Sequence, residues 1–224
     1  DRVIWATSMV ACGDADGAVT GNTRRFGASL DKIKQVVDVR DGEIMFGLNM
    51  VVHKGKTIFV GDTSVHEYPT SEQMAEMAIS TARVVRLFGF DPKVAFVSHS
   101  TFGQPLTSRT KHIRNAVDIL KEKKVDFEFD GDMQPDVALN PEYKDLYPFS
   151  KIVGKANILI MPGQHSAAIS YKMMKTLGDT KVIGPLLIGI GLPIEIAPLR
   201  SSTSELINLA SIAAYSADVI DYKK

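Results

Sequence analysis

Val94-Ala95-Phe96-Val97-Ser98-His99-Ser100-Thr101-Phe102-Gly103-Gln104 passes from four apolar residues straight into a polar loop. A short apolar run without polar alternation reads as a strand buried on both faces, as in a parallel sheet covered by helices. Immediately upstream, Pro69 and Thr70 open a helix. Thr70 with Gln73 makes a capping box, Met74, Met77, Ala78, Ala82, Val85 and Phe88 share one face, and Gly89 ends it. Before that, residues 39–52 alternate and then become apolar, Gly55 turns the chain, and Thr57 to Val60 returns, which predicts a hairpin. Downstream the alternation continues: helix over Thr110 to Lys123, strand over Phe127 to Phe129, strand over Ile158 to Met161, helix over Ser166 to Leu177, strand over Val182 to Ile190, and a last helix over Thr203 to Ala217. Strands alternating with helices give an open, mostly parallel α/β sheet. Ligands in such sheets bind outside the carboxyl ends of the strands, here residues 98–103, 130–132, 162–166 and 189–191.

Composition narrows the function classes. Twenty-six Lys and Arg balance 26 Asp and Glu, so no electrostatic footprint for nucleic acid or an anionic membrane is expected. The basic clusters Arg24-Arg25, Lys121 to Lys124 and Lys223-Lys224 are short and read as solvated charge. The single cysteine, Cys12, fits a reducing cytoplasm, and five scattered histidines without CxxC or HExxH spacing predict no zinc site. The apolar stretch Val182 to Leu199 is broken by Pro185, Pro193, Pro198 and Glu195, so it reads as strands and turns rather than a membrane span. The chain opens on Asp1 in an apolar run, without a signal peptide, and is expected to be a segment of something longer.

Neither a Walker A sequence nor GxGxxG is present. The loop 98–104 offers hydroxyls and backbone N–H groups near a helix start, a cradle for a phosphate or an acyl oxygen. Ser98, His99 and Ser100 do not suggest a hydrolase, because neighbours along a strand point to opposite faces. Asp130-Gly131-Asp132 with Asp136 admits Mg²⁺, or turn residues bonding their own backbone at a strand end. Glu205 admits a catalytic base, or the reciprocal partner of Ser202 in a capping box.

Several segments resemble the phosphate acetyl/butyryltransferases: Ala15-Asp16-Gly17-Ala18-Val19-Thr20-Gly21, the run from Asp130 to Leu139, Gly154 to Pro162, and Ile183-Gly184-Pro185-Leu186-Leu187. Thr23-Arg24, Asp62-Thr63, Pro69-Thr70, Ser98-His99-Ser100, His165-Ser166 and Ala197-Pro198-Leu199 look like the transacetylase-like tail of bacterial NADP-dependent malic enzymes. The resemblance covers essentially the whole chain. It implies a two-lobed α/β/α fold, related to isocitrate dehydrogenase, with a ligand cleft between the lobes and the family's amino-terminal strands and helices missing. The first lobe would comprise 1–39 and 192–224, the second 40–191. It also implies malic enzyme catalytic domains upstream, which hold NADP and Mg²⁺ or Mn²⁺, and self-association as a homodimer or larger oligomer.

Departures from the family pattern shape the functional expectation. Aligned from Gly184-Pro185, active relatives have a Ser-Arg pair where this chain has Pro198-Leu199, and an Asp where it has Glu205. Asp31 stands where they have arginine, and Ala168 where they have asparagine. The expected role is therefore a regulatory domain that senses acetyl-CoA and has lost catalysis. The alternatives are an active phosphate acetyltransferase, with Arg200 in the arginine role, and a purely structural dimerisation module. For acetyl-CoA contacts the resemblance points to Thr23, Arg24, Ser100, Thr101, Gly103, His165, Ser166 and Arg200.

Overall fold

The computed structural model describes residues 1–220, so the Lys223-Lys224 cluster lies outside the described residues. The chain divides into two compact units. Unit 1 is Asp1–Asn49 with Ile183 onward, and unit 2 is Met50–Val182. Residues 40–49 and 183–191 thus group with unit 1, not with the lobe that the sequence resemblance assigns them to.

Unit 2 combines a hairpin with parallel strands. The hairpin is present as β2 (Phe46–His53) and β3 (Lys56–Gly61), and the unit division falls inside β2. Lys54 and Gly55 join them with φ of 47° and 77°, as a two-residue hairpin turn requires. Residues 39–45 do not extend β2 backwards. Gly42 turns there with φ 73°, the Arg40 N–H donates to the Gly189 carbonyl, and Val39 makes only an isolated bridge to Ile190. After β3 come α3 (Ser71–Leu87), β4 (Lys93–Val97), α4 (Ser108–Lys123), β5 (Glu128–Met133), the short α5 (Pro135–Leu139), β6 (Ile158–Ile160) and α6 (Gln164–Leu177). With β7 (Thr180–Ile188), the strand order is β5-β4-β6-β3-β2-β7, and the β5–β4, β4–β6 and β6–β3 pairs are parallel.

The decisive run behaves as its composition dictates. Val94 to Val97 are all buried, and alternation sends Ala95 and Val97 into one apolar layer with Val60, Met133, Val137 and Ile152. Helix α3 begins at the Thr70–Gln73 capping box, with both reciprocal bonds formed at 3.2 and 2.8 Å. It buries Met74, Met77, Ala78, Ala82 and Val85. Thr70→Ala removes one half of that box and should cost about 1 kcal/mol, read as a lower urea midpoint, while Thr70→Ser should cost almost nothing.

Unit 1 contains α1 (Arg2–Cys12), β1 (Ala18–Gly21), α2 (Phe26–Ile33), β8 (Ile194–Ala197) and α7 (Thr203–Val219). Strands β1 and β8 pair in parallel, Ala18 opposite Ile194 and Gly21 opposite Ala197. Strand β8 is buried throughout, including Glu195, whose Oε2 accepts the Leu187 N–H at 2.9 Å. Burial pushes the Glu195 carboxyl up to about 8, and the Leu187 N–H pulls the other way. Unfolded, this group titrates near 4.5. Between that value and about 8 the folded chain keeps a proton that the unfolded chain has released, so stability should fall as pH rises through this window and level off above it. Glu195→Gln should flatten that fall, a difference of no more than a few kcal/mol at pH 8. Equal pH slopes in the two proteins would mean that Glu195 is ionised in the fold.

Candidate functional site

The loop after β4 is stapled to the strand beside it. Asp132, fully buried in β5, accepts the Ser100 hydroxyl on one carboxylate oxygen and the Gly103 N–H at 2.9 Å on the other. Its carbonyl accepts the Phe102 N–H at 2.7 Å. Ser98 Oγ accepts the Ser100 N–H, Thr101 Oγ1 accepts the Gln134 N–H, and the Gln134 amide donates to the His99 carbonyl. Thr101 and Gln104 exchange backbone bonds across Phe102 and Gly103, both at positive φ, and a Cβ at Gly103 would lie 2.8 Å from the Arg114 guanidinium. Arg114 itself is 3.8 Å from Asp132.

This geometry corrects two expectations. Asp130-Gly131-Asp132 is not a turn past the strand end: it lies within β5, and only Asp130 makes the local backbone bond, to Gly131. Ser100 and Gly103 do not face a ligand with free donors, since Ser100 is fully buried and both donors serve Asp132. The physical reason is that a buried carboxylate must be saturated with donors, and this loop supplies them. Among the described residues, no three His, Cys, Asp or Glu side chains gather to hold a metal.

His165 and Ser166, by contrast, are brought together in a pocket of about 500 Å³ within unit 2. It lies between the loop after β3, the start of α4 and the start of α6. Asp62 shapes the first of these by accepting the backbone N–H of Ser64, Val65 and His66 and contacting the His66 ring at 2.8 Å. His165 Nε2 lies 3.0 Å from Glu67, its ring stacks on Tyr68 at 6.4 Å, and the Arg109 guanidinium sits 5.8 Å above the same Tyr68 ring. The Ser166 hydroxyl donates to the Gly163 carbonyl. Sequence reading missed Arg109 and Tyr68. Tyr68 stands beside the Pro69-Thr70 helix start, which was legible, whereas the α4 start at Thr107 next to Arg109 was not read.

In unit 1, Thr23 and Arg24 are exposed on the loop between β1 and α2, and Arg24 pairs with Asp1 at 2.6 Å. Arg200 has φ 60°, and its N–H donates to the Asn22 carbonyl at 2.9 Å, which fixes Arg200 against that loop. Thr20 Oγ1 and Asn22 Oδ1 are buried there without a hydrogen-bond partner. Leu199 is 54% exposed and offers no donor. Asp31 is exposed on α2. Glu205 forms the capping box of α7: its Oε2 accepts the Ser202 N–H at 2.7 Å and the Ser202 hydroxyl at 2.9 Å.

Residues 1–214 match the model of the phosphate acetyl/butaryl transferase family. The chain belongs to that family. Its fold matches a phosphotransacetylase from Streptococcus pyogenes with a TM-score of 0.91 at 29% identity, over 97% of this chain and 68% of that one. A phosphate acetyltransferase of Bacillus subtilis is 30% identical over the same two shares. An NADP-dependent malic enzyme of Rhizobium meliloti is 46% identical over 97% of this chain and 28% of its own length, and that of Escherichia coli is 32% identical over 93% and 28%. The chain therefore spans less than a third of these malic enzymes, as a phosphotransacetylase-like domain.

Proposed function

We propose that this chain is the acetyl-CoA-sensing, non-catalytic domain of an NADP-dependent malic enzyme that oxidatively decarboxylates malate to pyruvate. The observation that carries the proposal is the state of the two positions where active relatives keep an arginine and an aspartate. Leu199 has no donor for a transferring phosphate, and the Glu205 carboxylate is occupied by the α7 cap. The polar loops are kept: the His165–Ser166 pocket in unit 2, and in unit 1 the loop carrying Thr23 and Arg24 with Arg200 fixed against it. The unpartnered Thr20 and Asn22 oxygens also suit a hydrogen-bonding ligand on that loop.

The chemistry required is binding with unequal affinity. A ligand shifts a protein between two states only by its differential affinity for them, and effector couplings are typically about 1–3 kcal/mol, or roughly 5- to 150-fold. The effector is acetyl-CoA, and the partners are the malic enzyme domains and a second copy of the protein. NADP and the divalent metal act in the malic enzyme domains.

The test is malate turnover in the intact protein with and without acetyl-CoA. Acetyl-CoA should change it several-fold, and Arg200→Ala should weaken that response while leaving turnover without effector nearly unchanged. An undiminished response after deletion of the whole domain would end the regulatory proposal.

A further inference from the structure

Unit 2 exposes a cluster of large apolar side chains beside Phe102 and Tyr147, which pack against its core. Phe149 is 69% exposed, Leu146 67% and Leu106 65%. The rings are ordered against one another: Phe102 meets Phe149 edge-on at 4.8 Å and Tyr147 at 5.3 Å, and Tyr147 meets Phe149 at 6.2 Å. The Thr101–Gln104 turn, held from below by Asp132, carries Phe102 between two recesses. One, of about 380 Å³, is lined by Tyr147, Phe149, Leu146 and Gln134. The other, of about 450 Å³, is lined by Lys111, Arg114, Asn115 and Asp118 of α4.

The two recesses differ in chemistry. The first is lined by the three aromatic rings together with Gln104 and Gln134. The second carries Lys111, exposed and in no ion pair among the described residues, beside Arg114, which lies 3.8 Å from the buried Asp132, and Asp118, which Lys121 engages at 2.9 Å. Arg114 lies one turn beyond Lys111 on the same helix face, pressed against Gly103. An apolar partner would find half of this surface charged, and a simple anion would leave the rings bare. A flat aromatic base carrying phosphates satisfies both recesses, by stacking on one side and ion pairing on the other.

We propose that Phe102, Tyr147 and Phe149 form a platform for the base of a phosphorylated purine nucleoside whose phosphates reach Lys111 and Arg114. The proposal rests on the sensor function for its source, the 3′-phospho-ADP end of acetyl-CoA. A free nucleotide such as ATP or NADP shares the chemistry and is separated by the test.

The intact protein and its Phe149→Ala and Lys111→Ala variants, both changed at exposed positions, are titrated with acetyl-CoA, adenosine 3′,5′-bisphosphate, ATP, NADP and acetyl-pantetheine. Stacking on one aromatic ring predicts roughly tenfold weaker binding of acetyl-CoA and of the bisphosphate to Phe149→Ala. Lys111→Ala should weaken both several-fold, less so at high salt, and acetyl-pantetheine should bind all three proteins alike. Unchanged acetyl-CoA and bisphosphate affinity in both variants removes the platform and leaves the sensor proposal standing. If acetyl-CoA fails to bind the parent while ATP, NADP or the bisphosphate binds and weakens in Phe149→Ala, the platform stands and the sensor proposal falls. Loss of acetyl-pantetheine binding in Phe149→Ala, or a drop in assembly mass on sedimentation with nucleotide affinity unchanged, overturns the platform. In the latter case the rings are covered by protein.

Discussion

Asp132→Ala should cost about 3–5 kcal/mol of stability, the largest effect expected of any single polar substitution in unit 2. Asp132 is fully buried, and two donors that it accepts, the Ser100 hydroxyl and the Gly103 N–H, would be stranded by the change. Arg114, at 3.8 Å, would also lose its counter-charge. Removing one member of a buried, charge-assisted network exposes the desolvation penalty of everything left behind. Asp132→Asn keeps an acceptor and the volume, so it should cost only about 1–2 kcal/mol. Urea unfolding of the two variants decides this. An Asp132→Ala penalty below 1 kcal/mol would mean that the loop does not depend on the carboxylate.

Acetyl transfer from acetyl phosphate to CoA should be slower than in the phosphate acetyltransferases by at least about 10²–10³-fold. Losing one preorganised donor to a developing charge typically costs that much, and Leu199 supplies none. Glu205 adds to the deficit: its carboxylate is held 2.7 Å from the Ser202 N–H, and a displacement near 1 Å from the productive position costs around a hundredfold. Glu205→Ala should cost about 1 kcal/mol, the value of a helix cap, read as a lower melting temperature, and leave the residual rate in an acetyl phosphate assay unchanged. Turnover at the level of ordinary transacetylases, abolished by Arg200→Ala, would show that Arg200 has taken over the phosphate and that the domain is an enzyme.

Local signals made most of the fold legible. The Thr70 and Ser202 capping boxes, the Gly55 turn and the buried run at Val94 each depend on a few neighbouring residues, and each formed as read. Two failures share a different cause. Alternation at residues 39–45 is also what a turn-containing loop with Gly42 produces, and only the distant bonds to Gly189 and Ile190 decide it. Asp130 to Asp132 has turn composition, yet it completes β5 because β4 and the 98–103 loop supply its partners from 29 to 35 positions away. The site was legible to the same degree. His165 and Ser166 were placed by the strand-end rule, but Arg109 and Tyr68 join them through a pairing of loops that no local pattern encodes. Ser100 was misjudged because a hydroxyl in a polar loop looks available until its buried carboxylate partner is known.

The central claim is that the intact protein binds acetyl-CoA through this domain without consuming it. An equilibrium titration of the intact protein with acetyl-CoA, followed by melting temperature, tests it most directly. Saturable stabilisation is predicted, about 2.7 kcal/mol at a hundred times the dissociation constant, with the ligand recovered unchanged and the shift reduced by Arg200→Ala. A melting temperature that stays flat to millimolar acetyl-CoA in folded protein would contradict it.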